Sequence, residues 1–387
     1  MADTSWWVDA NELDDEQSDV ISLPPDGSYL VVGPPGSGKT NLLLLRASYL
    51  VRAQRPNVVV LMFTRSLREF VVRGSSNYAF SEDKVRTILR WEQDLLRDHG
   101  IQVDRTGKTF DEIRREHAEQ LIRVFNQKPA LEHHLDCVLV DEVQDCLPEE
   151  IDLFFRSARN VFLVGDSRQE IYATNGILEK LDGRVNKREL SRHYRNGEAI
   201  CRAADTIGKN FGEPPLIGTC NYDETKAPSS VTFEACEDDA ELAQNLAGRL
   251  SRQLKAYPDE LLGVACPRNE DVNRVRAALT ANNQTQPYLL DEGELFNPLD
   301  LEQRIYVCTM HDAKGLEFRA LHLAFAEHVS KMRSTQKRLA FTAVTRAKTS
   351  LTVYSTAPLP GYLEQARDQA SPPKPPPKVR DLFPRKK

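Results

Sequence analysis

One stretch near the N-terminus combines glycine, lysine and threonine at a spacing suited to binding phosphate groups. It fits the pattern G-x-x-x-x-G-K-[ST] at every position and reads Gly33, Pro34, Pro35, Gly36, Ser37, Gly38, Lys39 and Thr40. Glycines let backbone N–H groups curl around phosphate oxygens, a lysine can reach the terminal phosphates, and a threonine hydroxyl can bind Mg²⁺. The stretch, with Asn41 after it, predicts a nucleoside-triphosphate site in which Lys39 is catalytic.

The segments on either side favour this interpretation over a glycine-rich turn that matches by chance. Apolar Tyr29–Val32 precedes the loop and is typical of a strand, while apolar Asn41–Leu50 follows and is typical of a helix. The N-terminus of that helix adds a partial positive charge beside the phosphates. The motif by itself indicates only a triphosphate, because kinases, transporters and GTPases share it.

Two carboxylates end a second apolar run about 100 residues later in the chain. Val138–Val140 is followed directly by Asp141 and Glu142. In a parallel sheet the carboxyl ends of the strands meet at one edge, which places both carboxylates near the phosphate loop. We expect Asp141 to hold Mg²⁺ together with Thr40, and Glu142 to accept a proton from the attacking water. The alternative is an acidic cap on a strand end.

Further motifs follow in the order found in superfamily 1 helicases of the UvrD, Rep and PcrA type. Asp141–Asp145 matches the D-E-x-Q-D motif, Thr309–Phe318 resembles motif V, and Ala340–Lys348 resembles motif VI. The resemblance covers roughly residues 12–355. It implies two RecA-like lobes, ATP and Mg²⁺ as cofactors, and single-stranded nucleic acid, DNA by family analogy, as the partner.

In the first lobe, the resemblance assigns three further nucleotide contacts. Gln17 lies in a stretch similar to the Q motif and would hydrogen-bond the adenine, although a surface glutamine is the alternative. Arg46 occupies the position of an arginine near the base. Gln169, in a stretch similar to motif III, would contact the γ-phosphate and is counted among the catalytic residues.

The second lobe contributes five more residues by the same resemblance. Tyr194 would stack on the adenine, and Glu317 would bind the ribose hydroxyl. Gly315 would lie close to the nucleotide. Arg195 and Arg346 would approach the γ-phosphate as catalytic cations, Arg346 as the arginine finger. The alternative for both arginines is a surface salt bridge.

Nucleic-acid contacts are also implied by the resemblance rather than by composition. Thr64 and Arg65 lie in a stretch similar to motif Ia, which touches the nucleic-acid backbone in the family. Tyr172 would pack behind the strand-binding groove, and Thr309 and His311 would face the strand. For Thr309 and His311 the alternative is an ordinary position at the end of a strand.

Two departures from the family pattern leave the function open between two classes. Thr174 replaces the tryptophan that stacks on a base, which removes a contact worth about 1–3 kcal/mol. Only about 20 residues, Asn283–Glu302, stand where the family has a large insertion. One hypothesis is an ATP-driven DNA helicase or translocase, 3′→5′ by family analogy. The other is an ATP-gated regulatory or sensor subunit that controls an effector such as a nuclease. A P-loop kinase would leave the later motifs unexplained.

Apolar, β-rich runs that alternate with helical stretches predict an α/β fold with parallel sheets. We expect a first RecA-like domain at 1–190, with a small helical insertion at about 65–134. A second RecA-like domain is expected at 191–360. The Pro- and Lys-rich segment 361–387 is expected to be a disordered tail.

Composition limits the remaining options. The net charge is −6, so a positive surface for nucleic acid has to be local. The seven cysteines form no C-x-x-C pair and no Cys/His cluster with zinc spacing, which favours free thiols in a reducing compartment. The acidic N-terminus is not a secretory signal, and no apolar run approaches the ~20 residues that span a bilayer. We therefore expect a cytoplasmic location.

Overall fold

The chain is described here by a computed structural model that covers residues 10–73, 78, 80–169, 176–281, 288–289, 304–329 and 334–370. Its strands form two sheets, each with six parallel strands. In order across the first sheet these are β3 (Val85–Thr87), β2 (Val58–Met62), β4 (Leu135–Val140), β5 (Ala158–Gly165), β1 (Tyr29–Val32) and β6 (Asn186–Glu189). Across the second sheet they are β7 (Ser230–Ala235), β12 (Ala347–Ser355), β11 (Phe318–Leu323), β8 (Leu262–Cys266), β10 (Ile305–Thr309) and β9 (Tyr288–Leu289).

Helices pack against both sheets because the central strands are apolar on both faces; β2 and β8, for example, are buried throughout. The first lobe contains α1 (Asp15–Ile21), α2 (Lys39–Arg52), α3 (Arg65–Arg73), α4 (Ile88–Asp98), α5 (Phe110–Gln127), α6 (Pro148–Ser157) and α7 (Ile177–Lys180). The second contains α8 (Glu198–Gly208), α9 (Asp239–Ala256), α10 (Asn269–Ala281), α11 (Ser334–Val344) and α12 (Gly361–Ala370). None of the described helices has the length and hydropathy needed to cross a bilayer.

This architecture confirms the predicted fold class, two RecA-like α/β lobes. All the strand pairs are parallel, so each sheet presents the carboxyl ends of its strands at one edge. The loops that follow β1, β4 and β5 carry Gly33–Thr40, Asp141–Asp145 and Asp166–Gln169 to that edge of the first lobe. The fold thus brings together three motifs that are far apart in the chain.

Three elements differ from the expectations. The segment 65–134 is not only helical, because β3 adds to β2 at the sheet edge. β6 has the exposed sequence Asn-Lys-Arg-Glu and forms only because its backbone pairs with β1. Within the segment 361–387, expected to be disordered, residues 361–370 form α12, because Leu363 and Ala366 are buried in the second-lobe core. The remainder, 371–387, lies outside the described residues.

Candidate nucleotide site between the two lobes

A cleft of about 820 Å³ lies between the lobes and is lined by both. The first lobe lines it with Glu12, Asp14, Gln17, Pro35, Gly36, Gly38, Lys39, Thr40, Asn41, Asp141, Glu142 and Gln169. The second lobe lines it with Tyr194, Arg195, Tyr222, Asp259, Glu260, Gly315, Glu317, Arg319, Arg346 and Lys348. All six residues predicted to be catalytic are in this set, although they come from five separate motifs.

The phosphate loop adopts a conformation that depends on glycine. Gly36 and Gly38 have φ values of +77° and +84°, a region that other residues rarely adopt. The Lys39 ammonium donates to the carbonyl oxygens of Gly33 and Pro34 at 2.8 and 2.9 Å, across the hollow of the loop. Burial lowers the pKa of Lys39, while the nearby carboxylate of Asp166 opposes this shift. The loop therefore holds a partly buried ammonium group where phosphate oxygens would lie.

The threonine and aspartate predicted to hold Mg²⁺ are in direct contact. The Thr40 hydroxyl donates to Asp141 Oδ2 at 2.8 Å. Burial and the neighbouring Glu142 raise the pKa of Asp141 to about 7, so this carboxylate has too little positive charge around it. Oxygen ligands of this kind are those that Mg²⁺ prefers. The donor set and its excess negative charge fit the predicted metal.

Glu142 is held in an unusual backbone conformation by its neighbours. Its φ is +53°, which is uncommon for a residue with a side chain and is frequent at functional sites. The side-chain amide nitrogen of Gln144 donates to the Glu142 carboxylate, and Gln144 Oε1 accepts from the Asp166 N–H at 3.0 Å. Burial alone would raise the pKa of Glu142, but the charges of Lys314, Arg346 and Lys39 hold it below its ordinary value. The side chain is therefore an ionised and oriented carboxylate.

The second lobe places two guanidinium groups at the cleft. Arg195 forms an ion pair with Glu317, and the Lys348 ammonium lies 3.7 Å from the same carboxylate. Arg346 donates to the side-chain oxygen of Gln169 in the first lobe. Burial, and then the charge of Arg195, lower the pKa of Arg346 to about 10, so it remains a cation at neutral pH.

The lobes touch at the phosphate loop itself. The Tyr194 N–H donates to Gly36 O at 3.0 Å, and its hydroxyl donates to Asp14. A Cβ atom on Gly36 would lie only 2.5 Å from Arg195 Cβ, and one on Gly315 would lie 3.1 Å from Leu67 Cβ. Second-lobe residues therefore lie directly against the loop and against α3.

Lys314 is a functional candidate that the sequence analysis missed. Its side chain is 1% exposed. The ammonium pairs with Asp145, donates to Gln169 O at 3.0 Å and lies 3.8 Å from Glu142 Oε2. Burial would lower the pKa of Lys314, but Asp145 and Glu142 raise it above its ordinary value. Its sequence signal was its place in the stretch Thr309–Phe318, which resembles motif V.

Two residues that were predicted to contact the adenine base, Arg46 and Gln17, make other hydrogen bonds. Arg46 is 1% exposed and does not line the cleft; it donates to the carbonyl oxygens of Ile21 at 3.0 Å and Pro24 at 2.5 Å, and to that of Leu23. This corrects its expected position near the base, because the end of α1 covers it. Gln17 does line the cleft, but its amide donates to Ser37 O at 3.1 Å and accepts from Asp14 N at 3.2 Å.

Of the residues predicted to contact nucleic acid, some are exposed and others are buried or hydrogen-bonded to neighbouring residues. Thr64 is buried and its hydroxyl oxygen accepts from Leu67 N at 3.3 Å, at the start of α3. The Thr309 hydroxyl donates to Asp312 at 2.5 Å. Arg65 and His311 are exposed. Tyr172 lies outside the described residues, as does Thr174.

Comparisons with known proteins match both lobes. The family model described as AAA domain matches residues 17–175, and that of the UvrD-like helicase C-terminal domain matches residues 304–354. A chicken (Gallus gallus) protein named F-box DNA helicase 1 is 30% identical over 143 residues, which are 34% of this chain and 14% of that protein. The chain thus spans a small part of that relative's length.

A solved structure, titled as the C-terminal domain of a possible DNA helicase from Lactobacillus plantarum WCFS1, is also similar. It shares 19% sequence identity with a TM-score of 0.33, over 46% of this chain and 96% of that one. The two family models match the lobes in the order that the motifs predict. The chain is therefore similar to UvrD-like superfamily 1 helicases, by the matched C-terminal domain in its second lobe and by the DNA helicase relative.

Proposed function

We propose that the chain is an Mg²⁺-dependent ATPase of the helicase type, which couples hydrolysis to movement along single-stranded DNA in the 3′→5′ direction. One observation supports this most directly. Lys39, Asp141 and Glu142 line one side of the cleft, and Arg195 and Arg346 line the other. Phosphoryl transfer needs charge neutralisation and positioning from both sides of the γ-phosphate, and this cleft offers both.

In this proposal each residue of the cleft has a defined task in hydrolysis. Lys39 leaves the carbonyl oxygens of the loop and binds the β- and γ-phosphates. Mg²⁺, held by Thr40 and Asp141, neutralises phosphate charge when it is bound. Glu142 takes a proton from the attacking water, which it can do because it is ionised. The two guanidinium groups stabilise the charge that develops on the γ-phosphate.

The contacts between the lobes suggest how hydrolysis is coupled to movement. Arg195 and Arg346 belong to the second lobe, so a triphosphate bound to the first lobe attracts both and closes the cleft. After hydrolysis the γ-phosphate no longer holds them, and the lobes separate. A ligand that prefers one state shifts the equilibrium between open and closed states. A nucleic-acid strand bound across both lobes would therefore be gripped and released once for each ATP.

A second groove supports the proposed strand contact in the first lobe. Its volume is about 510 Å³, and it lies where β2 and β3 end. Arg65, Arg68, Arg86 and Arg90 line it, together with Glu69, Asp83 and Asp94. Arginine binds phosphate oxygens with good geometry, so this groove is the proposed backbone site. The chicken relative, which is named a DNA helicase, supports DNA as the nucleic acid.

The decisive experiment measures ATP turnover with DNA and RNA strands of defined length. It also uses strands that carry a bound protein at either the 5′ or the 3′ end. We expect single-stranded DNA to raise kcat. We also expect a protein bound at the 5′ end of the strand to be displaced faster than one bound at the 3′ end. Arg346→Ala should lower kcat by about 10³-fold, as loss of an arginine finger does. A normal kcat in this variant would show that the two-sided site is misassigned.

The second candidate is an ATP-gated regulatory subunit for an effector such as a nuclease. The short segment between α10 and β10, which replaces the large family insertion, favours it. The same turnover assay separates the two proposals. If DNA strands leave kcat unchanged while a co-purifying partner protein raises it, the motor is excluded and the regulatory function is supported.

A further inference from the structure

Three residues with metal-binding side chains meet next to Tyr194 and Arg195. The ligand atoms of His193, Cys201 and Cys220 all lie within 4.8 Å of one another. They come from different segments: His193 and Cys220 pair in an isolated β-bridge, and Cys201 lies on α8. The spacing of cysteines in the sequence does not reveal this cluster, because the fold rather than a local motif brings it together.

Two contacts orient the imidazole ring of His193. The Thr219 hydroxyl donates to Leu216 O at 3.1 Å, so its oxygen accepts from Nδ1 of His193 at 3.3 Å. The ring proton is thereby placed on Nδ1. Nε2 lies 3.2 Å from Cys201 Sγ and keeps its lone pair for a metal ion. Histidine ligands of metals are commonly oriented in this way, by an oxygen acceptor on the second ring nitrogen.

We propose that His193, Cys201 and Cys220 bind a single Zn²⁺ ion. Two sulfurs and one imidazole form a soft ligand set of the kind that zinc prefers. Bond lengths of about 2.3 Å to sulfur and 2.0 Å to nitrogen, in tetrahedral geometry, separate the ligand atoms by roughly 3.5–3.8 Å. The observed N–S distance of 3.2 Å is within a few tenths of an ångström of this range.

Zinc binding would change the protonation of the cluster. Each thiol now donates a weak hydrogen bond to Asn196 O at 3.4 Å, so both carry a proton. Binding forms two Zn–S bonds and one Zn–N bond, and each thiol releases its proton to solvent. The three protein ligands leave the fourth position to water.

The location of the site gives zinc a structural consequence. The ion would tie the segment around His193 to α8 and to the segment that contains Cys220. Tyr194 and Arg195 directly follow His193 and line the nucleotide cleft. Zinc would therefore fix the backbone that presents these two side chains, a consequence that rests on the proposed function, whereas zinc binding itself does not.

Zinc binding can be measured directly on the full chain after its metals are removed with a chelator. ZnCl₂ titrated in competition with a chromophoric chelator should show one equivalent bound, with proton release in weakly buffered solution. Co²⁺ should give the intense visible and thiolate charge-transfer absorption of a tetrahedral sulfur site. Cys201→Ser and Cys220→Ser should each weaken Zn²⁺ affinity by about 10-fold or more, as loss of a metal contact does.

Cys236→Ser is the matched control, because Cys236 is a buried second-lobe cysteine outside the cluster, and it should bind Zn²⁺ like the wild type. Circular dichroism confirms that each variant is folded; the half-buried Cys220 is the safer substitution. Zn²⁺ should raise the Tm of the wild type and not that of Cys220→Ser. Absence of uptake by the wild type, unchanged affinity in both cluster variants, or a Cys201–Cys220 disulfide in the intact chain would each overturn the proposal.

Discussion

At the scale of the residue, Glu142 has the two properties that a general base in a buried cleft needs. It stays ionised because the cations Lys314, Arg346 and Lys39 outweigh the effect of burial on its pKa. It stays oriented because Gln144 donates to its carboxylate and the backbone has a φ of +53°. A left-handed conformation costs roughly 1–2 kcal/mol outside glycine, so the surrounding contacts must enforce it.

Glu142→Gln keeps the shape of the side chain and removes its ability to accept a proton. We expect kcat for ATP to fall by about 10²–10⁴-fold, the usual contribution of a general base. Affinity for a fluorescent ATP analogue should stay within a few-fold of the wild type. Glu119→Gln, at an exposed position on α5, is the control and should leave both quantities unchanged. Undiminished turnover in Glu142→Gln would refute the assigned role.

Arg46 shows why a residue type at a family position does not guarantee the family contact. Its guanidinium donates to three carbonyl oxygens at and after the end of α1, and it packs over the rings of Tyr29, Tyr49 and Phe162. No part of the local sequence shows that this segment folds over α2. The contact depends on tertiary packing, which spacing alone does not encode.

Replacing Arg46 by methionine tests this structural role. The variant removes the donor from three carbonyl oxygens that are buried or partly buried, so the free energy of unfolding should fall by about 1–3 kcal/mol. The KM for ATP should change less than two-fold. Arg52→Met, on the exposed side of the same helix, should alter neither quantity. Urea denaturation measures the stability, and ATP kinetics measure KM. A raised KM at unchanged stability would support the original prediction that Arg46 contacts the adenine.

For the helices and strands, the sequence predicted those elements that have a local pattern of apolar residues. The apolar strands β1 and β4 were predicted from their runs of apolar residues, which are largely buried. β6 was missed because its residues are exposed, and only pairing with β1 makes it a strand. The loops at the carboxyl edge followed from parallel topology. Their side-chain partners did not, because each partner comes from another element.

The contact between the phosphate loop and the second lobe can be tested at Gly36. Gly36→Ala adds a methyl group whose carbon would lie 2.5 Å from Arg195 Cβ. We expect kcat for ATP to fall at least 10-fold, because the arginine-bearing segment is pushed away from the loop. Gly107→Ala is the matched control: its φ of +72° imposes similar backbone strain, but a Cβ there meets no atom within 4 Å. Equal activity of the two variants would mean that this contact is dispensable.

Lys314 links motif V of the second lobe to the carboxylates of the first. Lys314→Met preserves most of its volume and removes the charge that pairs with Asp145 and holds down the pKa of Glu142. Breaking a buried pair costs about 3–5 kcal/mol, because it leaves an uncompensated charge. We expect lower stability together with a kcat that is reduced more than 10-fold.

The Asp145→Asn variant and the double variant complete a cycle that isolates the pair. If the pair acts as a unit, the double variant should be more stable than the sum of the single effects predicts. Lys255→Met, at an exposed position on α9, should be neutral. Strict additivity of the two single substitutions would show that Lys314 and Asp145 are not coupled.

For the whole molecule, the candidate nucleotide cleft exists only because two lobes with separate cores face each other. The cores are distinct clusters around the first and the second sheet. Motif order in the sequence predicted that both lobes would contribute, and all six predicted catalytic residues line one cleft. It did not predict Lys314 or the contact of Tyr194 with Asp14, since contacts across lobes follow from their relative orientation.

The net charge of −6 also makes a prediction for the whole molecule. Long-range attraction to DNA is weak in an acidic protein, so the proposed binding of DNA would have to depend on the local arginine groove. That groove also contains three acidic residues, Glu69, Asp83 and Asp94. If about three phosphates are neutralised, the logarithm of affinity for oligo-dT should fall with the logarithm of salt with a slope of about −2.

Arg65→Ala removes one proposed phosphate contact from the groove. We expect lower affinity for oligo-dT, the same loss for every base composition, and a salt slope that is smaller by about 0.7. Arg159→Ala is the control, because Arg159 is exposed at the amino end of β5, at the edge of the sheet opposite the groove. Fluorescence anisotropy from about 50 to 200 mM salt measures both slopes, a range over which phosphate contacts change affinity strongly. If Arg65→Ala and Arg159→Ala retain the slope of the wild type, the strand does not bind in this groove.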